Sequence, residues 1–457
     1  MHAEAGWRGP SWLQAPDDPN ALLAGLWPAH VSRGDDGQVT IAGVAVSELA
    51  ERFGTPAYVI DEDDFRERAR AFRDAFAGAD VYYAGKAFLS VASVRWIVEE
   101  GLSLDICTGG ELEVALRAGL DPARIGFHGN NKSDAELRRS LAVGVGRVVV
   151  DSDTEIIRLS GLAAEAGVVQ AVLVRVTTGV EAHTHEYIAT AHEDQKFGLS
   201  ITDGAAFNAM QAVEGSASLR LVGVHSHIGS QIFDTSGFEI AARRVLGLYA
   251  RGLAAGMALG ELDLGGGFGI AYTTQDDPAT PATLAAEIRE IVEHECRALD
   301  IDVPRLSIEP GRAIAGPSTF TLYEVGTVKE VALDAGASRL YVAVDGGMSD
   351  NIRAALYDAD FSCTLASRAS EAAPVLARVV GKHCESGDIV VKNEFLPGDV
   401  TAGDLIAVPA TGAYCRSLAN TYNHVPRPPV LAVRDGEARV IVRRETVDDL
   451  LRLDVPS

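Results

Sequence analysis

Eight short, β-rich runs lie between Gly78 and Arg312, and nearly every run ends on a polar residue or a glycine. In chain order these ends are Lys86, Asp105, His128, Asp151, Arg175, His225 with His227, Gly265-Gly266-Gly267, and Glu309. Residues that only fill a core are mostly apolar. The pattern therefore indicates an enzyme whose active site is built from the ends of several strands.

Lys86 follows the apolar run that contains Tyr82 and Tyr83. A lysine at the mouth of such a strand is expected to be partly desolvated. Desolvation favours the neutral, nucleophilic amine and therefore a Schiff base with a carbonyl compound. A lysine at the rim of the sheet, held in a surface salt bridge, is the alternative. Lys86 alone does not decide between them.

Two further strand ends have the composition of anion sites. The glycines of 265–269 allow backbone N–H groups to close on an anion, most often a phosphate, although a tight turn with positive φ also needs glycine. Glu309-Pro310-Gly311-Arg312 places a carboxylate and a guanidinium together. They either form a plain ion pair, or face a heterocyclic nitrogen and an anionic substrate group respectively.

His225 and His227 are two residues apart, so a strand would place both imidazoles on the same side. Two such histidines can ligate a metal, as in barrel hydrolases. Alternatively, one is a buried structural histidine and the other lies against a flat cofactor. His128 and Asp151 are the only obvious additional ligands, and we therefore expect no metal.

Three candidate features lie elsewhere in the chain. Cys384 is flanked by polar residues, so a chemical role and inert packing are equally open for it. Arg353 and Tyr357 are four residues apart and fall on one face of a helix. The loop from Thr177 to Ser200 is too long for a simple connection and is typical of a lid or binding segment.

Helical patterns alternate with the eight runs, for example at 134–143, 153–166 and 283–299. Such alternation predicts a parallel sheet, and eight units fit a closed (β/α)₈ barrel better than an open doubly wound sheet. After Pro317, Val-rich runs follow one another without long helices, and Asp435-Gly436 predicts a hairpin. This succession of strand-like runs indicates a second, mainly β domain.

The expected domain boundaries follow from these patterns. Residues 1–38 form an arm ordered by packing on a neighbour, and 39–60 add strands to the β domain. The barrel covers 61–316 and the C-terminal β domain 317–457. The total of 457 residues also exceeds the roughly 250–300 residues that one core usually holds.

Composition excludes several classes of protein. The chain has 40 Lys and Arg against 64 Asp and Glu, a formal net charge of −24, which repels nucleic acid and anionic membranes. Five widely spaced cysteines without a CxxC pair argue against a disulfide scaffold or a zinc ribbon. No apolar run reaches the roughly 18–20 residues of a membrane span, and no secretory signal is evident. We expect a cytoplasmic protein.

Six motifs, in order, resemble the diaminopimelate decarboxylases of the alanine-racemase-like (fold-type III) class of pyridoxal-phosphate enzymes. The resemblance covers nearly the whole chain, and its motifs are specific jointly rather than singly. They are Tyr-Tyr-Ala-Gly-Lys-Ala at 82–87, His-Ser-His-Ile-Gly-Ser-Gln at 225–231, Gly-Gly-Gly-Phe-Gly at 265–269, Glu-Pro-Gly-Arg at 309–312, Cys-Glu-Ser-Gly-Asp at 384–388 and Gly-Ala-Tyr at 412–414.

The resemblance implies a homodimer with active sites shared at its interface and pyridoxal 5'-phosphate as cofactor. It implies that Lys86 forms the Schiff base, His227 stacks on the pyridine ring and Glu309 pairs with the ring nitrogen. The residues implied for the phosphate end are Gly266, Gly267, Glu309, Pro310, Gly311, Arg312 and Tyr414. Those implied for the substrate are Arg312, Arg353, Tyr357, Glu385 and Tyr414. Cys384, from the other subunit, would protonate the decarboxylated carbon.

The residue chemistry agrees with decarboxylation of meso-2,6-diaminopimelate to L-lysine, the last step of lysine biosynthesis. A carboxylate at the ring nitrogen keeps the ring a good electron sink, whereas racemases of the class set an arginine there. Glu385 and the arginines suit a far end that carries both an amine and a carboxylate. Ornithine, arginine or carboxynorspermidine decarboxylases are the nearest alternatives. A non-catalytic relative and a metal hydrolase are the remaining ones.

Overall fold

The computed structural model describes residues 9–179, 196–333 and 337–455. The chain divides into two compact units. The barrel unit comprises Arg66–Gly269 and Pro278–Ala313, and the β unit comprises Met1–Phe65, Ile270–Asp277 and Ile314–Ser457. The predicted fold class, a (β/α)₈ barrel plus a mainly β domain, is confirmed.

Eight parallel strands close the barrel, because the last pairs with the first around the ring. Their order around the ring is β5, β6, β7, β8, β9, β11, β12 and β13. The strands are β5 Asp80–Ala84, β6 Ser103–Ile106, β7 Ile125–Phe127, β8 Arg147–Val150, β9 Gln170–Thr177, β11 Leu219–His225, β12 Glu261–Asp263 and β13 Arg305–Ile308, and the short β10 Leu199–Ser200 pairs with β9. Every predicted barrel strand is found.

Helices connect the strands, and several begin at a hydroxyl side chain that accepts a hydrogen bond from the third helical N–H. Ser133 and Ser152 do this at α5 and α6, and Gly144 and Gly167 end these two helices in the left-handed conformation. The helices are α2 Glu62–Ala75, α3 Val91–Glu99, α4 Gly109–Ala118, α5 Asp134–Val143, α6 Asp153–Ala166, α7 Ala205–Glu214, α8 Ser236–Ala254, α9 Pro281–Leu299 and α10 Arg312–Ala315.

The β unit is built on a sheet in the order β18, β17, β15, β14, β4, β20, β21, with β19 on β14 and β16 on β19. A register shift between Val325 and Thr327 lets the long β14 pair with β4 and β19 in its first half and with β15 in its second. These strands are β4 Ala57–Asp61, β14 Thr319–Ala332, β15 Ser338–Val344, β16 Thr364–Leu365, β17 Pro374–Val380, β18 Ile389–Pro397, β19 Leu405–Pro409, β20 Val430–Arg434 and β21 Glu437–Val442.

The remaining elements of the β unit are short. They are β1 Val31–Arg33, β2 Val39–Ile41, β3 Val44–Ala45, α1 Val46–Phe53, α11 Arg353–Tyr357 and α12 Val447–Leu451, with 3₁₀ turns at Pro122–Arg124, Arg416–Leu418 and Tyr422–His424. The predicted hairpin at Asp435-Gly436 is present, and both residues have positive φ, at 51° and 77°. Such angles match a two-residue hairpin turn.

The structure corrects the prediction for the N-terminal arm. β1 already pairs with β2, so the strands begin before residue 39. The arm also makes contacts within its own chain, and its packing on a neighbour stays a prediction. Asn20 Nδ2 donates to the Ser370 carbonyl at 2.8 Å, and Ser370 N–H donates to Asn20 Oδ1 at 2.8 Å.

The predicted barrel range of 61–316 also differs from the observed unit. Glu62 forms ion pairs with Arg434 and Arg439 and so belongs with the β unit. Ile270–Asp277 also belongs with the β unit, because the ring of Tyr272 packs edge-on against Phe361 with centroids 5.1 Å apart. Long-range packing, rather than local pattern, decides these boundaries.

In the ranges that the structure describes, none of the helices combines the length and apolar character that spanning a bilayer requires. Most of the predicted lid from Thr177 to Ser200, namely residues 180–195, lies outside the described ranges.

Candidate active site

A cavity of about 320 Å³ lies at the carboxyl ends of the barrel strands. It brings together most of the predicted strand-end residues: Lys86, Asp105, His128, Arg175, His225, His227 and Glu309. Asp151 is absent from this lining. Its carboxylate instead accepts a hydrogen bond from the Gly198 N–H, two residues beyond Lys196.

Lys86 lies two residues beyond the end of β5 and lines the cavity, but its side chain is exposed. The predicted desolvation is therefore not found, because the strand ends before the lysine and leaves its side chain in the cavity opening. Two buried carboxyls, Asp105 and Glu309, lie within range of its charge. Burial raises the pKa of both, and the charge of Lys86 opposes that shift in part.

Glu309 lies at the centre of the buried polar cluster. Its Oε1 is 3.2 Å from Nε2 of His128 and 3.2 Å from Nε2 of His225. Neither contact has hydrogen-bond geometry, and Oε1 has no hydrogen-bond partner within the described ranges. Burial raises the pKa of Glu309. A buried carboxylate oxygen without a donor is well suited to accept a proton from a bound group.

Two more buried carboxyls share this environment. Burial, followed by the charge of Glu309, raises the pKa of Asp105 well above its usual range. The same causes raise the pKa of Asp263 to about 7. Asp263 Oδ1 also accepts from the Gly265 N–H at 2.8 Å. Three acidic side chains are thus buried together at the strand ends, and the charge of Lys86 only partly offsets the effect of burial on the pKa values of Asp105 and Glu309.

The histidines of the cavity are neutral. Burial lowers the pKa of His225 to about 4 and that of His128 well below its usual range. The structure does not place His225 and His227 side by side on one strand, since β11 ends at His225. Instead His225 meets His128, with ring centroids 4.9 Å apart, and His227 Nδ1 accepts from the Gly266 N–H at 3.2 Å.

Glycine is required in the run at 265–267 because neighbouring backbone atoms lie too close to leave room for a side chain. A Cβ on Gly266 would lie 2.1 Å from the Glu309 carbonyl oxygen, and one on Gly267 would lie 2.5 Å from that of Gly229. Gly265 and Gly267 also have positive φ, at 70° and 104°. The glycines thus have structural reasons of their own, and phosphate binding stays a prediction.

Arg312 follows β13 and is buried. Its Nη2 donates to Ser230 Oγ at 2.8 Å, whereas Glu309 faces the two histidines. The two side chains of the Glu309–Arg312 motif are therefore directed at different groups. Ser230 belongs to the motif at 225–231, so two of the motifs meet in the barrel unit.

Arg353 and Tyr357 open and close α11 in the β unit, as their spacing predicts. Arg353 is 4% exposed and lies among three tyrosine rings. Its guanidinium carbon is 5.2 Å from the ring centroid of Tyr272 and 5.7 Å from those of Tyr357 and Tyr414. Nε has no hydrogen-bond partner, and the guanidinium forms no ion pair with a carboxylate, in the part of the chain that the structure describes.

Cys384 and Glu385 are exposed in the loop between β17 and β18. Hydrogen bonds to two side chains hold the backbone of this loop in place. Asp388 accepts from the N–H groups of His383 at 2.7 Å and Met348 at 2.6 Å, and the Cys384 N–H donates to Asn423 Oδ1 at 3.2 Å. The thiol of Cys384 is therefore exposed on a loop whose backbone is anchored.

Several residues of these sites were not predicted. They are Cys107, Glu111, Asn130 and Asn131 in the cavity, Asp263 beside it, and Tyr272 in the β unit. Lys196 and Phe197, which also line the cavity, belong to the predicted binding segment at 177–200. Asn130 and Asn131 directly follow the polar end of β7, so their position was a usable signal. Tyr272 lies in an irregular segment without periodicity and offered none.

The comparisons with known proteins agree with this geometry. Residues 62–316 match the family model described as pyridoxal-dependent decarboxylase, pyridoxal binding domain. The chain is 58% identical over 440 residues to the diaminopimelate decarboxylase of Mycobacterium tuberculosis, covering 95% of this chain and 98% of the relative. It is 47% identical over 425 residues to that of Bacillus subtilis, covering 92% and 96%.

A solved structure agrees as well. The diaminopimelate decarboxylase of M. jannaschii in complex with L-lysine superimposes with a TM-score of 0.87 at 31% identity, covering 94% of this chain and 99% of that one. The fold and the matching model define a pyridoxal-dependent decarboxylase. Within that class, the chain belongs to the diaminopimelate decarboxylase family.

Membership of this family also helps to decide whether the histidines of the cavity ligate a metal. His128, His225 and Glu309 place three potential ligand atoms within 4.8 Å of one another. This set differs from the predicted pair of His225 and His227. Because the chain belongs to a pyridoxal-dependent family, the same three side chains are better explained as the buried end of a cofactor site.

Proposed function

We propose that this chain decarboxylates meso-2,6-diaminopimelate to L-lysine with pyridoxal 5'-phosphate as cofactor. The observation that carries the substrate assignment is Arg353, a buried guanidinium without a carboxylate partner in the described ranges. A substrate with a carboxylate at its far end supplies that partner. The relatives' name and the lysine-bound structure support the same assignment.

The barrel cavity fits the cofactor. The unpartnered Glu309 Oε1 is a suitable acceptor for a protonated ring nitrogen, and the neutral ring of His227 is a suitable stacking surface. A bound cation would also favour the ionised form of the buried carboxyls, whose pKa values are raised chiefly by burial. Lys86 would carry the cofactor covalently. Gly266, Gly267, the 309–312 segment and Tyr414 would hold its phosphate end.

The bound cofactor withdraws the electron pair that the departing carboxylate leaves behind. Glu309 assists by holding a proton on the ring nitrogen. Lys86, whose side chain is exposed, would hold the cofactor through its amine at a place that the amine of the substrate can reach. Arg312 and Ser230 fix the neighbouring backbone through their 2.8 Å hydrogen bond.

The carbon that loses carbon dioxide must regain a proton. We assign this proton to the thiol of Cys384 of the partner subunit, in a homodimer with two shared active sites. The support is the position of Cys384 on an exposed loop whose backbone is anchored by Asp388. An exposed thiol with a fixed backbone can deliver a proton to one defined carbon.

The far end of the substrate carries an amine and a carboxylate. Arg353, with Arg312, would bind the carboxylate, and Glu385 of the partner subunit would bind the amine, while Tyr357 and Tyr414 line the site. Tyr414 has a φ of 63°, a strained value for a residue with a side chain, as is common at ligand sites. Ornithine lacks the far carboxylate and would leave the buried guanidinium unpaired, which is strongly disfavoured.

The test is turnover of meso-diaminopimelate beside L-ornithine by the purified holoenzyme. We expect release of carbon dioxide and formation of L-lysine, with a kcat/KM for ornithine lower by at least about a hundredfold. Equal or faster turnover of ornithine would refute the substrate assignment. Turnover of neither, together with a stoichiometric bound metal, would favour the hydrolase alternative.

A further inference from the structure

Tyr272 provides the shortest aromatic contact of Arg353 in the described ranges, at 5.2 Å from guanidinium carbon to ring centroid. It lies outside every predicted motif, three residues after the glycine run ends at Gly269. The segment Ile270–Asp277 nevertheless belongs to the β unit, where Arg353 also lies. A residue whose packing links this segment to α11 is therefore a candidate for setting the position of the guanidinium.

The ring of Tyr272 is itself held in place. Its backbone N–H donates to Asp276 Oδ2 at 2.9 Å, and the same oxygen accepts from the Thr273 N–H at 3.0 Å. Phe361 packs edge-on against the ring, at an interplanar angle of 77°. Tyr272 is 6% exposed. The backbone and the ring are thus both fixed before any ligand arrives.

The partners of Arg353 have a consequence for binding. Aromatic faces stabilise a buried cation through their quadrupole but do not neutralise its charge. A carboxylate in place of Tyr272 would pair with the guanidinium and compete with a ligand. Three tyrosines instead keep the cation desolvated, oriented and still able to form a bidentate contact with an incoming carboxylate.

We propose that Tyr272 is a positioning residue that determines specificity for substrates with a far carboxylate, by holding Arg353 in its binding orientation. The proposal rests on the proposed function. Tyr272 acts through Arg353 and takes no part in the bond-breaking step. Its loss should therefore impair carboxylate recognition and leave the cofactor and the rate of the bound complex unchanged.

The variants are Tyr272→Leu, which removes the aromatic face, and Tyr272→Phe, which keeps it. Tyr341→Leu is a matched control, because Tyr341 lies 5.7 Å from the guanidinium of Arg378 in the same unit. For each holoenzyme we would measure kcat and KM for meso-diaminopimelate, and inhibition by L-lysine and by cadaverine. L-Lysine retains the far carboxylate and cadaverine lacks it.

In Tyr272→Leu we expect KM for diaminopimelate and Ki for L-lysine to rise by about three- to thirtyfold. The kcat, the cofactor absorbance and the Ki for cadaverine should stay within about twofold of wild type. Tyr272→Phe and Tyr341→Leu should resemble wild type. This pattern requires a defect in carboxylate recognition, since a general loss of structure would also move the cofactor absorbance.

Three results would overturn the proposal in distinguishable ways. If wild type binds L-lysine and Tyr272→Leu binds it equally well, Arg353 does not depend on Tyr272. If Tyr272→Leu does not fold, a KM for Tyr272→Phe raised as much as predicted for Leu would assign the effect to the hydroxyl and refute the role of the ring. If wild type neither turns over diaminopimelate nor binds L-lysine, the proposed function fails and this proposal fails with it.

Discussion

The barrel unit and the β unit present their functional residues in opposite electrostatic settings. At the strand ends of the barrel, burial raises the pKa values of Asp105, Asp263 and Glu309, although Lys86 and Arg175 line the same cavity. In the β unit, buried Arg353 is surrounded by neutral tyrosine rings. The barrel cavity therefore gathers buried carboxyls, whereas the guanidinium of Arg353 is enclosed by uncharged rings.

This difference divides the reaction between the units. The barrel is suited to a group that brings a cationic ring, and the β unit to a ligand that brings a carboxylate. A change in the barrel should therefore affect the chemical step, while a change around Arg353 should affect the choice and affinity of the substrate. The following predictions test that division, from the largest expected effect to the smallest.

The largest effect is expected for Lys86→Ala. Without the amine, covalent attachment of the cofactor is lost, so decarboxylation and the visible absorbance should both disappear while the circular dichroism spectrum persists. Activity assays and absorbance spectra of the purified variant measure this. A variant that kept both activity and the band would place the cofactor lysine elsewhere.

Glu309→Gln should retain the cofactor and lose most turnover, by about a hundredfold in kcat. A neutral amide cannot hold a proton on the ring nitrogen, so the electron pair is less well delocalised. Steady-state kinetics with a parallel measurement of cofactor content separate the two effects. Unchanged turnover would mean that the ring nitrogen has another partner.

Arg353→Ala should show the reverse pattern. We expect KM for diaminopimelate to rise by about ten- to a hundredfold, because a bidentate, desolvated carboxylate contact is lost, with a much smaller effect on stability. Kinetics and thermal unfolding of the same preparation measure both quantities. Poor solubility with normal kinetics in the surviving fraction would make Arg353 structural.

The smallest effect concerns Asp263 in the cofactor-free protein. Its folded pKa, about 7, lies above its ordinary value, so its contribution to stability is present in acid and is lost as pH rises towards 7. His128 and His225, with lowered pKa values, act in the opposite direction over an overlapping range. The difference in stability between a variant of Asp263 and wild type therefore isolates the contribution of this carboxyl to the pH dependence.

Asp263→Asn removes that titration and keeps an oxygen for the Gly265 N–H. The Tm of the variant relative to wild type should increase by a few degrees between about pH 5 and about pH 8. Thermal unfolding across this range is the measurement. A difference in Tm that does not change with pH would show that Asp263 is ionised throughout.

The barrel was predictable because its strand ends break an apolar pattern. Lys86, Asp105, His128 and Glu309 all line one cavity as their positions suggested. Local rules also located α5 and α6, whose Ser caps and Gly ends are explicit in the sequence. The start of α9 at Pro281, after the Thr280 cap, was available from the same rules but was placed two residues late.

The remaining features depend on contacts between residues distant in sequence. The grouping of His225 with His128 rather than His227 follows from where β11 ends. The membership of Ile270–Asp277 in the β unit follows from packing of Tyr272 on Phe361. The roles of Cys384 and Glu385 came from resemblance alone, since an exposed loop residue carries no periodic signal.

The central claim is that each active site combines barrel residues of one subunit with the Cys384 loop of another. Mixing the Lys86→Ala and Cys384→Ala proteins, each inactive alone, under conditions that exchange subunits tests it directly. Random pairing makes half the dimers mixed, each with one intact site of two, so activity should recover to about a quarter of wild type. No recovery despite demonstrated exchange of subunits would place Lys86 and Cys384 within one chain and contradict the shared site.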